Sequence, residues 1–428
     1  MLVVLISALL LVLILTRTPV AFAILLSGII GLLVVGGPSL VLTSLETLPV
    51  SAIGKNSLAA IPLFILMAQF ILKSGFLADL FDSAQKVVGK VPGGTAIAAI
   101  GAGAVFASVS GSSTAAAATL AHTSTEQLIR QGYSKPVSTG AVAAAGTLAA
   151  MIPPSVLLVF YAITADTPVG ATLIAGIIPG LLVAVALCAT VIIYLAIRKE
   201  TIPPGVTANV SDRARALVKV LPMLALFVIV VGMVFLGITT ATEAAAVGAM
   251  LAFVLMAIRR EATWANIVTS LKETISSTAM ILCIVFAAHI FSHFIVETHT
   301  TNAVVTYLSS LQMPPLLVVG IIALGYLVLG FFMDQMAIIA LTVPVTLPVV
   351  EAFGLDPIWF GILVILLAEV GLITPPLGLN VFVVARAVKL PVETIFLGAA
   401  PFAVAILIVG IILFLFPSIT LLLPNFMN

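Results

Sequence analysis

The chain carries one interrupted pattern twice, 222 residues apart. Ile152-Pro153-Pro154-Ser155 opens a stretch that closes at Gly176-Ile177-Ile178-Pro179. Thr374-Pro375-Pro376-Leu377 opens another that closes at Gly398-Ala399-Ala400-Pro401. Proline lacks the backbone N–H and its ring clashes with the preceding turn, so a Pro-Pro pair interrupts any helix that contains it. Both pairs lie in strongly apolar surroundings. Irregular backbone is tolerated at membrane depth only where it is buried in protein or lines a cavity. A repeated pair of interrupted apolar segments is therefore the sequence sign of a transport site between two repeats.

Composition places these segments in a bilayer. Of 428 residues, 62% are hydrophobic and 8% charged, against about 25% charged in soluble domains. The polar surface is too small to face water. Segments near 1–17, 18–36, 57–74, 136–166, 169–197, 217–237, 241–258, 276–296, 357–387 and 392–418 are apolar enough to span, at roughly 20 residues per crossing. Residues 1–17 have neither a basic lead nor a small-residue cleavage site, and read as a mature spanning helix. Segments 93–131 and 314–351 each hold two apolar arms around a polar or small-residue tip. Arms this short predict re-entrant hairpins. Cys188 and Cys283 lie in apolar runs and fill core space. A net charge of +1 offers nucleic acid no electrostatic footprint.

Basic residues orient the segments. With the N-terminus outside, 16 of the 17 Lys and Arg fall inside: Arg17, Lys73, Lys86, Lys90, Arg130, Lys135, Arg198, Lys199, Arg213, Arg215, Lys219, Arg259, Arg260, Lys272, Arg386 and Lys389. Only Lys55 falls outside. This satisfies the positive-inside rule, places both termini outside, and makes the hairpins enter from opposite faces. Residues 1–200 and 217–424 then form inverted repeats joined by the charged loop 198–216. The pattern also extends upstream, with Arg17-Thr18-Pro19 and Ala241-Thr242-Glu243 opening matching helices. Thr240 or Thr242 is the expected N-cap of the second, with Glu243 in the first turn. Residues 76–91 and 260–272 have mixed polarity, as surface-lying arms or plain connecting helices would.

The tips carry the chemistry. Ser108-Val109-Ser110-Gly111-Ser112-Ser113-Thr114 sets five hydroxyls around a glycine. Hydroxyl and carbonyl oxygens suit a hard cation, although small residues also permit close helix packing. Asp334 stands at the repeat offset from Ser112. An intramembrane carboxylate is a functional candidate by default; it can neutralise a cation, take a proton, or cap the arm starting at Gln335. The residues before each Pro-Pro pair, Gly146 to Met151 and Gly371 to Thr374, lose helical partners for their carbonyls and become candidate Na⁺ ligands facing the tip of the same repeat. Ser113, Thr114, Ser155 and Asn380 are the candidate substrate contacts. Arg386 is expected to snorkel toward the cytoplasmic surface. Glu369, two residues before Gly371, is expected to face protein, in proton coupling or in a buried hydrogen bond. His289, His293 and Glu297 share one helix face at metal-ligand spacing, but no third His or Cys converges, so a polar stripe is expected. No catalytic base accompanies Ser110 to Ser113 at a readable spacing, so no enzyme is expected.

Taken together, Ser110-Gly111-Ser112-Ser113 with its following alanines, Ile152-Pro153-Pro154-Ser155, Thr242-Glu243-Ala244-Ala245-Ala246-Val247, Met333-Asp334 and Thr374-Pro375-Pro376-Leu377-Gly378 resemble the large membrane subunit of TRAP transporters, the tripartite ATP-independent periplasmic transporters of DctM/SiaM type. The resemblance covers essentially the whole chain. It implies an all-α polytopic inverted-repeat fold of elevator type, with two re-entrant hairpins and two Pro-Pro broken helices. It implies Na⁺-coupled uptake of an organic acid anion across a bacterial inner membrane, with two or more ion sites. Its expected partners are a separate small four-helix membrane subunit, since none is fused here, and a periplasmic solute-binding protein. The ion positions carried over are Ser110, Gly111, Ser112 and the backbone of Gly146, Leu148 and Ala150 for one site, and Gly330, Asp334, Gly371 and Thr374 for the other. Thr114, and the absence of an acidic residue over 115–118, depart from many relatives and leave the substrate open. The expected division is scaffold 1–56, transport half 57–168, scaffold and loop 169–275, transport half 276–390, and a C-terminal scaffold helix 391–428. A stand-alone Na⁺- or H⁺-coupled dicarboxylate transporter is the alternative.

Overall fold

The computed structural model describes residues 2–427 apart from 17, 89–90, 92 and 199–208. Arg17, Lys90, Lys199 and most of the 198–216 loop therefore lie outside the described residues. The rest is helical: α1 (Leu2–Leu15), α2 (Val20–Ile53), α3 (Ala60–Lys73), α4 (Phe76–Val88), α5 (Gly94–Ser110), α6 (Ser113–Leu120), α7 (Glu126–Arg130), α8 (Lys135–Met151), α9 (Val156–Thr164), α10 (Val169–Ala175), α11 (Ile177–Arg198), α12 (Val210–Phe235), α13 (Ala241–Ile258), α14 (Trp264–Glu297), α15 (Thr300–Ser310), α16 (Pro315–Gly330), α17 (Gln335–Ala352), α18 (Pro357–Gly371), α19 (Leu379–Val388), α20 (Val392–Leu415) and α21 (Pro417–Leu421). A π-turn over Ala121–Thr125 joins α6 to α7.

Local chemistry sets the boundaries. Thr240 caps α13 in a capping box, its hydroxyl accepting from the Glu243 amide while Glu243 accepts from the Thr240 amide. Asp356 accepts from the amides of Ile358 and Trp359 at the start of α18, with Pro357 at the first helical position. α2 kinks at Gly37, whose φ of 71° precedes Pro38, and then continues to Ile53, beyond the expected end at 36.

The two expected arms differ. α4 is a separate helix, divided from α3 by Gly75 at φ 74°. Asp79 fastens it to Arg259 at 2.5 Å, and that guanidinium lies 4.0 Å over the Phe76 ring. Residues 264–272 instead form the first turns of α14, a continuous 34-residue helix. The physical reason is that no Gly or Pro interrupts 264–297, so nothing breaks the hydrogen-bond ladder. α15 was not foreseen either.

Among the described residues, eight helices are long and apolar enough to cross a membrane, or nine if the bent pair α8–α9 is one span. α1, with 14 residues, falls short of the expected span 1–17. The hairpin arms are longer than expected: α5 has 17 residues and α17 has 18, and α17 alone meets the length and hydropathy of a crossing helix. Arm length therefore does not by itself make these hairpins re-entrant. α2 packs along α14 and α3 along α13, while α8 packs against α5, α6 and α20. The α8–α20 contact is backbone to backbone: a Cβ on Gly398 would sit 1.9 Å from the Pro136 carbonyl oxygen.

Candidate ion and substrate site

The first tip is built by three consecutive residues. α5 ends at Ser110. Gly111 takes a left-handed conformation at φ 59°, which costs an L-residue roughly 1–2 kcal/mol. Ser112 is extended and caps α6, its hydroxyl accepting from the Ala115 amide at 3.4 Å. A Cβ at Gly111 would lie 2.9 Å from Val156 Cγ2 and 3.2 Å from the Val156 amide nitrogen. The tip therefore seats directly on the break between α8 and α9. Gly146 completes this corner, since a Cβ there would lie 2.8 Å from the Ser113 carbonyl oxygen.

The break itself is more fully bonded than the sequence suggests. The Leu148 carbonyl keeps its helical partner, the Ile152 amide, at 3.0 Å. The Ala150 carbonyl loses its helical donor because residue 154 is Pro, and takes the Ser155 hydroxyl instead at 2.8 Å. Ser155 also accepts from the Leu158 amide as the cap of α9. It is fully buried, so its hydroxyl meets a carbonyl and not the cavity. Ala149, whose helical donor would be Pro153, loses that donor too.

The second half repeats the arrangement with different side chains. α16 ends at Gly330, and Asp334 caps α17, accepting from the Met336 amide at 3.1 Å. A Cβ on Gly371 would lie 2.0 Å from the Gly330 carbonyl oxygen, so tip and broken helix touch through bare backbone. Thr374 donates to the Val370 carbonyl at 2.8 Å. Pro153–Pro154 and Pro375–Pro376 are both cis. Asn380 is buried with its Nδ2 donating to the Ala143 carbonyl at 3.3 Å, which ties α19 to α8 of the other half; its Oδ1 has no partner among the described residues.

One carboxylate joins the two tips. Glu369 on α18 is buried. Its Oε1 accepts from the Ser113 hydroxyl at 2.5 Å and from the Gln335 side-chain amide, while Oε2 is buried without a partner among the described residues. Ser113 thus serves the node and not open space. Sequence singled out Glu369 but assigned it no partners; Gln335 entered only as the first residue of an arm. Their convergence depends on a contact between the two halves, Ser113 to Glu369, 256 residues apart in sequence.

A cavity of about 260 Å³ opens beside the first tip, lined by Ser110, Gly111, Ser112, Ala115, Val156 and Met336 on one side. Gln69 of α3 and Glu273 and Ser277 of α14 face them. Those three were not foreseen, since nothing in their spacing marks them. Thr114 is partly exposed, and its hydroxyl lies 3.4 Å from that of Ser112. Away from the site, His289 Nδ1 lies 2.8 Å from the Val285 carbonyl oxygen and His293 Nε2 lies 3.6 Å from Glu297. Among the described residues no group of three His, Cys, Asp or Glu could hold a metal ion.

Comparison with known proteins assigns the architecture. Residues 7–419 match the family described as the tripartite ATP-independent periplasmic transporter, DctM component. The chain is 34% identical to the C4-dicarboxylate TRAP transporter large permease protein DctM of Pseudomonas aeruginosa, over 87% of each chain. It is 32% identical to the sialic acid TRAP transporter large permease protein SiaM of Vibrio cholerae, over 86% of each, and 29% identical to the ectoine TRAP transporter large permease protein TeaC of Halomonas elongata, over 94% and 98%. Its fold is similar to that of the Alcanivorax borkumensis YdaH transporter, with a TM-score of 0.65 at 16% identity over 88% and 89% of the two chains. With its Pro-Pro broken helices and multi-pass, almost entirely α-helical fold, the chain belongs to the DctM family of TRAP transporter large permease components, a family of transport proteins and not of enzymes.

Proposed function

We propose that this chain is the membrane-spanning carrier of a sodium-driven, elevator-type uptake system for a small organic acid. The observation that carries the reading is the doubled tip-on-break arrangement, Gly111 against Val156 and Gly330 against Gly371, bridged by Glu369. Each corner gathers carbonyls and a capping oxygen at the end of a broken helix, the chemistry that suits a hard monovalent cation. One ion is held by Ser110, Gly111 and Ser112 with the backbone of Gly146, Leu148 and Ala150, where the Leu148 and Ala150 carbonyls offer a second lone pair beside the hydrogen bonds they already accept, and a second by Gly330, Asp334, Gly371 and Thr374. The relatives named as C4-dicarboxylate, sialic acid and ectoine permeases support a small organic acid as cargo.

The moving body comprises the hairpins and broken helices, and it slides past α2 and α13; α3 and α14, which the expected division placed wholly or mostly in the transport halves, are assigned to the stationary part because α3 packs along α13 and α14 along α2. Because α20 meets α8 through bare backbone at Gly140, Gly398 and Pro136, α20 travels with that body instead of standing with the scaffold. A small four-helix membrane subunit and a periplasmic solute-binding protein complete the system in a bacterial inner membrane, with both termini of this chain periplasmic. The test is uptake into proteoliposomes holding this chain and its membrane subunit, with the binding protein outside. Uptake that follows an imposed Na⁺ gradient and stops without the binding protein supports the reading. Uptake that proceeds with no Na⁺ gradient, or with no binding protein, overturns it in favour of a proton-coupled or stand-alone carrier.

A further inference from the structure

The cavity beside the first tip is charged at one place. Of its lining residues only Glu273 is ionisable; no Lys, Arg or His lines it among the described residues. Glu273 is exposed to the cavity side of α14 and has no ion-pair or hydrogen-bond partner among the described residues. The opposite wall has the reverse polarity. There α6 and α9 both begin, at Ser113 and Val156. Their caps take the Ala115 and Leu158 amides, and Val156, the first residue of α9, lines the cavity with an N–H that neither cap takes, at a positive helix end. Ser110, which lines the same wall, has a buried hydroxyl without a partner among the described residues.

A dicarboxylate bound across this space would set its second carboxylate against Glu273, and like charges at close range repel. A neutral tail would leave Glu273 unpaired opposite it. A molecule with an anionic end and a cationic end matches both walls. At about 260 Å³ the space is below the roughly 300 Å³ at which drug-sized pockets begin, so the molecule is small. We propose that the cargo is a small zwitterion, its carboxylate held by the tip amides and its cationic nitrogen paired with Glu273. This rests on the uptake reading above and narrows its substrate class.

The test compares 4-aminobutyrate with succinate, which share a four-carbon chain and differ in one terminal group. The purified full chain in nanodiscs is titrated with each, with and without saturating NaCl, and the ligand-dependent rise in unfolding temperature is read. We expect 4-aminobutyrate to act at a concentration about tenfold lower than succinate, Glu273→Gln to abolish that preference, and Glu273→Asp to retain part of it. Both variants should keep the response to Na⁺ alone, which shows that they are folded. No shift with 4-aminobutyrate, an equal or stronger effect of succinate, or a preference that survives Glu273→Gln would each overturn the proposal. A wild-type chain that discriminates the two ligands but ignores Na⁺ would count against the sodium-coupled reading alone.

Discussion

Glu369 is the residue on which the two halves meet. It accepts from Ser113 at one tip and Gln335 at the other, so Glu369→Ala strands two buried donors at once. Each unsatisfied buried donor costs about 1–3 kcal/mol, and the variant should unfold at a clearly lower temperature in detergent. Glu369→Gln keeps an acceptor oxygen and should fall between the two; an unfolding temperature unchanged in Glu369→Ala would remove the node from the account. Gly371 is constrained by space. A methyl group there would press into the Gly330 carbonyl, and overpacking of this kind costs about 1–3 kcal/mol. Gly371→Ala should therefore weaken Na⁺ binding as well as stability, read in the same melt with and without salt, whereas Gly325→Ala, in open space on α16, should do neither.

At the scale of elements, the Pro-Pro pairs were legible because proline acts through its own missing N–H, whatever surrounds it. The breaks at Ile152 to Ser155 and Leu372 to Gly378 fall where the sequence puts them. So do the caps at Thr240 and Asp334, because capping is a local hydrogen bond. What could not be read was set by contact at long range. The continuity of α14 through residues 264–276 depends on the absence of a breaker, which mixed polarity disguised. The Ser155 bond to Ala150 and the Asn380 bond to Ala143 turn two expected substrate contacts inward. Gln335 and Glu273 carry no motif and acquire a place only through packing.

The loops between elements make a pH-dependent prediction. Lys55, after α2, pairs with Asp166, after α9, at 2.7 Å, and so links the helices proposed to stand still with those proposed to move. The Lys55 ammonium, as hydrogen-bond donor and as charge, holds the Asp166 carboxyl below its ordinary value of 3.8. A lowered carboxyl contributes stability that is complete above the ordinary value and is lost as pH falls through the folded one. The link should therefore be unaffected from pH 7 down to about 4 and weaken only below that. Asp166 is largely exposed and Lys55 partly so, so the pair's worth is about 0–1 kcal/mol and falls with salt. Asp166→Asn should leave the unfolding temperature nearly unchanged while altering protease access to the 165–168 loop, and an altered access that persists in 1 M salt for the wild type relative to the variant would contradict a screened ion pair.

For the molecule as a whole, the account requires that sodium bind the folded chain at both tips. Ligand binding to the folded state raises stability with the logarithm of saturation, so the decisive measurement is the unfolding temperature of the purified protein titrated with NaCl against choline chloride at fixed ionic strength. We predict a saturable rise specific to Na⁺ that is diminished in Ser112→Ala and in Asp334→Ala and absent in the double variant. A rise of equal size in choline chloride, or a Na⁺-specific rise that the double variant retains in full, would contradict paired sodium sites at the hairpin tips.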